Sequence, residues 1–257
     1  MIDFGIGSIR LYTLACAIAV IIGGFLFVRT LERSQRVSAI DVLLLSLASG
    51  LALARLEHVL LNWAYFSNNT SEILSLEAGG LGWHGGALGA LLAFWIGWGF
   101  RLRAADKQQA YSTKPFVIAL DMLAPFVPLL MLAAWFGCWS AGCGYGYEVS
   151  TLADYPALIA AELPDIYSVI APRLNTPLFG VTWAIIILCI IWWTRHMNGR
   201  LWLALGLVSL GMFWIGVARA DSVPAALGLR IDQALDLIIC TFSMACLIRI
   251  QTQARSV

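Results

Sequence analysis

The residues able to do chemistry in this chain are few, and they gather toward one end of its apolar runs. In the stretch GGLGWHGGALGA, residues 79–90, His84 stands among six glycines. Glycine permits close backbone approach and a sharp entry into a helix, and the first turn of a helix presents N–H groups that suit an anion. An imidazole there, with an unperturbed pKa of about 6.5, can exchange a proton beside a bound phosphate. A membrane-interface histidine bonded to a carbonyl fits the motif equally well. Arg55, His58 and Asn62 are spaced i, i+3, i+7 and so share one helical face, with Glu57 directed away from it. Arg10 and Tyr12 flank the start of the first apolar run, Arg219 closes the sixth, and Arg230, Asp232 and Gln233 open the seventh.

A charge kept inside a span costs roughly 2.5–3.5 kcal/mol on insertion scales, which makes each a functional candidate. Taken singly, Arg10, Arg230 and Asp232 read as side chains snorkelling to the headgroups. Tyr12, Trp83, Trp95 and Trp98 read as members of an interfacial aromatic belt, and Asp121 as a tie between helices. Arg55 and His58 resist that reading, because Val59, Leu60 and Leu61 come between them and the surface.

The elements that must hold these residues are membrane helices. Of 257 residues, 60% are hydrophobic and 12% charged, and the mean hydropathy is +0.82, far outside the range of soluble domains. Apolar runs long enough to cross a bilayer occupy residues 11–28, 42–61, 83–100, 116–139, 178–193, 201–217 and 231–248. The expected fold is therefore an all-α integral membrane protein with seven transmembrane helices, one polytopic domain over residues 1–257. Arg29, Arg33 and Arg36, then Arg101, Arg103, Lys107 and Lys114, then Arg195 and Arg200, and finally Arg249 and Arg255 follow alternate spans. Such clusters stay cytoplasmic, which puts the N-terminus outside, the C-terminus inside and residues 144–176 on the extracytoplasmic side between helices four and five. The opening MIDFGIGSIR lacks a basic n-region and a cleavage site, so the first span is expected to be retained.

Local signals refine this scheme. Ser38 is expected to cap the second span, and Thr176 followed by Pro177 to start the fifth. Pro125 and Pro128 interrupt the fourth, whose irregular backbone calls for a surrounding cavity or protein. No cysteine spacing suits a metal, and no metal or cofactor is expected. Of the six cysteines only Cys138 and Cys143 lie near the outer face, where a disulfide is conceivable. A net charge of +1 argues against nucleic acid as a partner.

Three stretches together resemble the prolipoprotein diacylglyceryl transferases of the bacterial plasma membrane. ARLEHVLLNWAYFSNNTSEILSLEAGGLGWHGGALGA carries the His-Gly-Gly motif at His84, Gly85 and Gly86; GIGSIRLYTL carries Tyr12 at the position of a functional tyrosine. DMLAPFVPLLMLAAWFGCWSAGCGYG matches at Asp121, Ala124, Pro125, Gly137, Gly142 and Gly146, with Cys138 and Cys143 resembling a cysteine-bearing branch. The resemblance implies a multi-pass inner-membrane transferase that moves the diacylglyceryl group of phosphatidylglycerol onto the cysteine thiol of a lipoprotein precursor, releasing glycerol 1-phosphate. Its expected partners are phosphatidylglycerol, the precursor's signal peptide and membrane lipids. His84 and Arg219 become the expected catalytic residues; Tyr12, Arg10, Arg55, His58, Asn62, Gly85, Gly86, Gly142 and Gly146 are expected to bind substrate.

The chain departs from the family pattern at Trp135, where an arginine is expected, and at Met212 and Gly216, where an arginine and a glutamate are. An indole cannot hold phosphate as guanidinium does. Those departures motivate the alternative of a catalytically inactive phospholipid-binding homologue. A transporter is a third reading, weakened by the absence of an internal repeat.

Overall fold

The structure, a computed structural model, describes residues 2–3, 8–9, 11–76, 79–105, 114–226 and 228–255. Among the described residues six helices are long and apolar enough to cross a membrane: Leu11–Arg29, Gln35–Leu61, Val117–Ala141, Thr176–Trp193, Arg200–Ala218 and Ile231–Ala254. The expected third span forms α4, Trp83–Ala105, 23 residues of helix that are not among the six. Its glycines, its tryptophans and His84 take places that leucine and valine fill elsewhere.

Backbone contacts divide the chain into two compact units, Leu26–Phe116 and Met1–Phe25 with Val117–Val257. In the first, α2 (Arg33–Leu61) and α4 pack antiparallel, joined by the short α3 (Trp63–Phe66) and a 3₁₀ turn at Thr70–Glu72. Small residues let the two backbones meet: a Cβ on Gly89 would lie 2.5 Å from the Ser49 carbonyl oxygen, one on Gly50 3.1 Å from that of Gly86, and one on Gly97 3.1 Å from Val42. Phe94 and Trp98 stack at 5.4 Å, and Phe27 meets both edge-on. Trp98 is buried, which corrects its expected place in an interfacial belt; helix periodicity alone does not reveal which side a neighbour covers. The start of α2 is corrected too. It begins at Arg33 after Glu32, without a side-chain cap, and the Ser38 hydroxyl instead donates to Gln35 O.

In the second unit α1 (Leu11–Arg29) contributes its first part, which lies on α6 (Phe126–Ala141); a Cβ on Gly137 would sit 2.6 Å from the Tyr12 Cα. The fourth apolar run is broken as the prolines predict, into α5 (Lys114–Leu123) and α6, with Pro125 at the N-cap. Pro128 falls in the first turn of α6, where no intrahelical amide bond is lost. Cys138 and Cys143 form a disulfide across the left-handed Gly142 that ends α6. Asn175 caps α7 (Thr176–Trp193) through the Leu178 N–H at 3.2 Å, so the cap lies one residue before the expected Thr176. Asp121 ties helices together as its position suggests. Its carboxylate accepts from Gly199 N at 2.8 Å and Leu201 N at 3.3 Å, capping α8 (Arg200–Ala218). Helix α9 (Ile231–Arg255) packs on α8.

Three two-stranded pieces complete the described residues: β1 (Ile2–Asp3) with β2 (Ser8–Ile9), β3 (Ala160–Pro164) with β4 (Ile170–Leu174), and β5 (Ala225–Ala226) with β6 (Leu229–Arg230).

Candidate functional site

The His-Gly-Gly motif opens α4, and its imidazole is buried. His84 Nδ1 lies 2.8 Å from Glu57 Oε1, and the other oxygen of that carboxylate accepts the Gly85 N–H at 2.6 Å. Glu57 therefore points at His84, because α2 turns that face toward α4. The glycines make the approach feasible. A Cβ on Gly82 would overlap the Glu57 carboxylate and one on Gly85 the Leu53 carbonyl. Gly86 has ordinary clearance, 3.5 Å from Ala54. The positive end of α4 is thus already occupied by an anion of the chain itself. A carboxylate on Nδ1 also holds the orientation of the imidazole ring. The Trp83 ring lies against it, centroids 4.5 Å apart and planes tilted by 38°.

Arg55 is buried and holds the segment before α4 by its backbone. Its Nε donates to Ile73 O at 2.8 Å, Nη1 to Gly79 O at 2.5 Å and Gly80 O at 3.2 Å, and Nη2 to Glu72 O at 2.7 Å; Phe66 lies under the guanidinium at 5.2 Å. His58 and Asn62, on the same face, line a pocket of about 370 Å³ with Arg55, Tyr65, Phe66, Glu72 and Gly79, a volume within the range of small-ligand sites. The Asn62 amide donates to His58 O at 2.8 Å. The Tyr65 hydroxyl donates to Glu72 at 2.8 Å, and that bond raises the phenol's pKa. The i, i+3, i+7 reading thus brings Arg55, His58 and Asn62 together.

Arg219 ends α8, and the segment from Gly146 pairs with its backbone. Its Nε donates to Asp221 Oδ1 at 2.8 Å, its Nη2 meets the other Asp221 oxygen, and its Nη1 reaches Asp232 at 3.4 Å. Arg230 closes the square through Asp232 at 3.0 Å and Asp221 at 3.4 Å. Burial alone would lower the Arg230 pKa, but the hydrogen bond to Asp232 and the charge of Asp221 raise it. Two arginines and two aspartates cancel. Of the remaining expected binding residues, Tyr12 packs on Gly137. Gly142 adopts φ 67° and abuts the Asp165 carbonyl, and Gly146 abuts that of Leu174. Arg10 lies outside the described residues.

Two of the departures from the family pattern, Trp135 and Gly216, are filled by packing. Trp135 is buried, with its ring over Gly180, where any Cβ would overlap it, and 3.0 Å from the Cβ position of Gly144. Gly216 admits Gln233, whose amide donates to Phe213 O at 3.1 Å.

The family model described as prolipoprotein diacylglyceryl transferase matches residues 1–249. The chain belongs to the prolipoprotein diacylglyceryl transferase family. Among similar proteins, a phosphatidylglycerol–prolipoprotein diacylglyceryl transferase of Clostridium novyi (strain NT) is 26% identical over 224 residues, 84% of this chain and 80% of that protein. One of Staphylococcus aureus (strain Newman) is 24% identical over 255 residues, 96% and 88% of the two chains. As a prolipoprotein diacylglyceryl transferase family member with six apolar helices among the described residues, the chain is a multi-pass membrane protein. Sequence reading missed Glu57, the partner of His84, and Asp221, the partner of Arg219. An acid inside an apolar run two residues after Arg55 is the signal for the first; the Arg-Ala-Asp triplet is the signal for the second.

Proposed function

We propose that this protein transfers the diacylglyceryl group of phosphatidylglycerol to the cysteine thiol of a lipoprotein precursor, at the outer leaflet of a bacterial plasma membrane. In this reading α4 is a seventh span, the N-terminus is outside and the C-terminus is cytoplasmic. The observation that carries the chemistry is the buried Glu57–His84 pair at the N-terminus of α4.

A thiol with a pKa of about 8.5 attacks poorly until it is deprotonated. Glu57 positions His84 so that Nε2 takes the thiol proton as the sulfur attacks. An S–C bond forms to the glyceryl carbon and the C–O bond to the phosphate breaks. The phosphate leaves as glycerol 1-phosphate, taking up the proton that His84 accepted. Arg55 lends positive charge to the pocket, while Asn62, His58 and the Tyr65–Glu72 pair offer partners to the headgroup's phosphate and glycerol hydroxyls. Within the second unit, the groove between α1 and α6, lined by Leu14, Ile18, Leu132 and Phe136 among others, is apolar. Arg219 acts by ordering the 145–147 segment, with Gly142 and Gly146 allowing that loop to close on its neighbours.

Purified protein, phosphatidylglycerol vesicles and a lipobox peptide are expected to yield a thioether-linked lipid and glycerol 1-phosphate, measured by mass spectrometry. His84→Ala should abolish the product. Full activity in that variant would end the assignment, and lipid binding without turnover by the native chain would favour the inactive homologue instead.

A further inference from the structure

Between α6 and α7 the chain builds the β3–β4 hairpin, and both of its ends rest on helix termini. At the base, Asn175, the cap of α7, donates its N–H to Ile159 O at 2.8 Å. At the tip, Gly142, which ends α6, abuts the Asp165 carbonyl so closely that a Cβ would overlap it. Five-residue strands at roughly 3.3 Å per residue reach about 16 Å, from the first turn of one membrane helix to the last turn of another. The hairpin therefore lies along the plane of those helix ends rather than projecting away from it.

Its turn is fixed. Asp165 Oδ1 accepts the N–H groups of Tyr167 at 2.8 Å and Val169 at 3.0 Å, its Oδ2 accepts from Arg173 at 3.2 Å, and Ser168 takes φ 65°. The one acidic residue of the turn is thereby satisfied internally. What the turn displays is apolar: Ile166, Tyr167, Val169 and Ile170 are 56%, 78%, 55% and 67% exposed. A contiguous apolar patch of this kind marks an interaction surface. The last turns of α6, whose end at Gly142 meets the tip of the hairpin, also expose Phe136 and Trp139. Tyrosine at such a depth keeps its ring among chains and its hydroxyl at the headgroups.

We propose that the hairpin tip, residues 166–170, is seated in the phospholipid surface of the leaflet where α6 ends. The bilayer is its partner, and the seat clamps the α6–α7 connection against the membrane. The test uses the full chain with p-benzoylphenylalanine introduced at Tyr167, at Ile170 or, as a water-facing control, at the exposed Glu162 in mid-β3. These exposed positions leave the fold undisturbed. After photolysis in vesicles of phosphatidylglycerol and phosphatidylethanolamine, phospholipid adducts at 167 and 170 are expected several-fold above those at 162. Equal yields at all three positions would overturn the proposal. Adducts at 167 that form only with an added lipobox peptide, and to that peptide, would overturn it in favour of a precursor-docking surface.

Discussion

The α2–α4 crossing and the cluster of residues 219–232 both bring ionisable side chains into an apolar chain, and they meet the cost of doing so differently. At the crossing, one carboxylate faces one imidazole and one helix terminus, so the pair can change its protonation without leaving an orphaned charge. In the cluster, two guanidinium groups and two carboxylates neutralise each other in a square that has no mobile proton. The comparison teaches that arginine near a helix end is not by itself a substrate cation. A group poised to act is recognised by a partner whose charge state it can alter.

The largest expected effect lies at the crossing. Glu57→Gln keeps an acceptor for the Gly85 N–H but removes the charge on His84; turnover should fall about 10²–10⁴-fold, with KM for phosphatidylglycerol and the melting temperature little changed. Unaltered turnover would erase the contrast between the two regions. Arg219→Met leaves Asp221 and Asp232 sharing one guanidinium, and since the cluster is largely buried the loss should be about 2–3 kcal/mol in detergent unfolding. Adding Asp221→Asn should recover part of it, a coupling that a double-mutant cycle measures. Gly85→Ala forces a Cβ into the Leu53 carbonyl; overpacking of this kind costs about 1–3 kcal/mol, readable as a lower melting temperature together with weakened activity. The smallest effect separates the regions by screening. Raising salt from about 0.05 to 0.5 M shortens the Debye length severalfold and should lower the stability contributed by the cluster, 15–18% exposed, by a few tenths of a kcal/mol, with a smaller change at the less exposed Glu57–His84 pair.

Much of the helical scaffold was legible from composition, since apolar runs of bilayer length leave few alternatives. The break at Pro125 was legible because proline removes an amide donor. The face shared by Arg55, His58 and Asn62 followed from helical spacing alone. Glu57 was not, because the direction of a side chain one position along depends on which side of α2 the glycines of α4 occupy, and that is tertiary information. The extended N-terminal part of α2 was missed because Arg33 to Ser38 is polar, and hydropathy marks the membrane rather than the helix. The β3–β4 hairpin was invisible for another reason: five-residue strands containing Pro164 and Pro172 carry the residue that argues most strongly against a ladder, and what holds them is their pairing with each other and that of β4 with Tyr147 and Val149. Trp135 was read only as a missing arginine; its packing over Gly180 shows a slot shaped for an aromatic ring.

Arg55 has one more implication. Because a single side chain on α2 grips four carbonyls of the following connection, helix and loop form an indivisible module: an insertion between 72 and 80 would unpick every stitch at once. Chimaeras exchanged between relatives should therefore tolerate a junction before the guanidinium or after the histidine, and fail when cut in between.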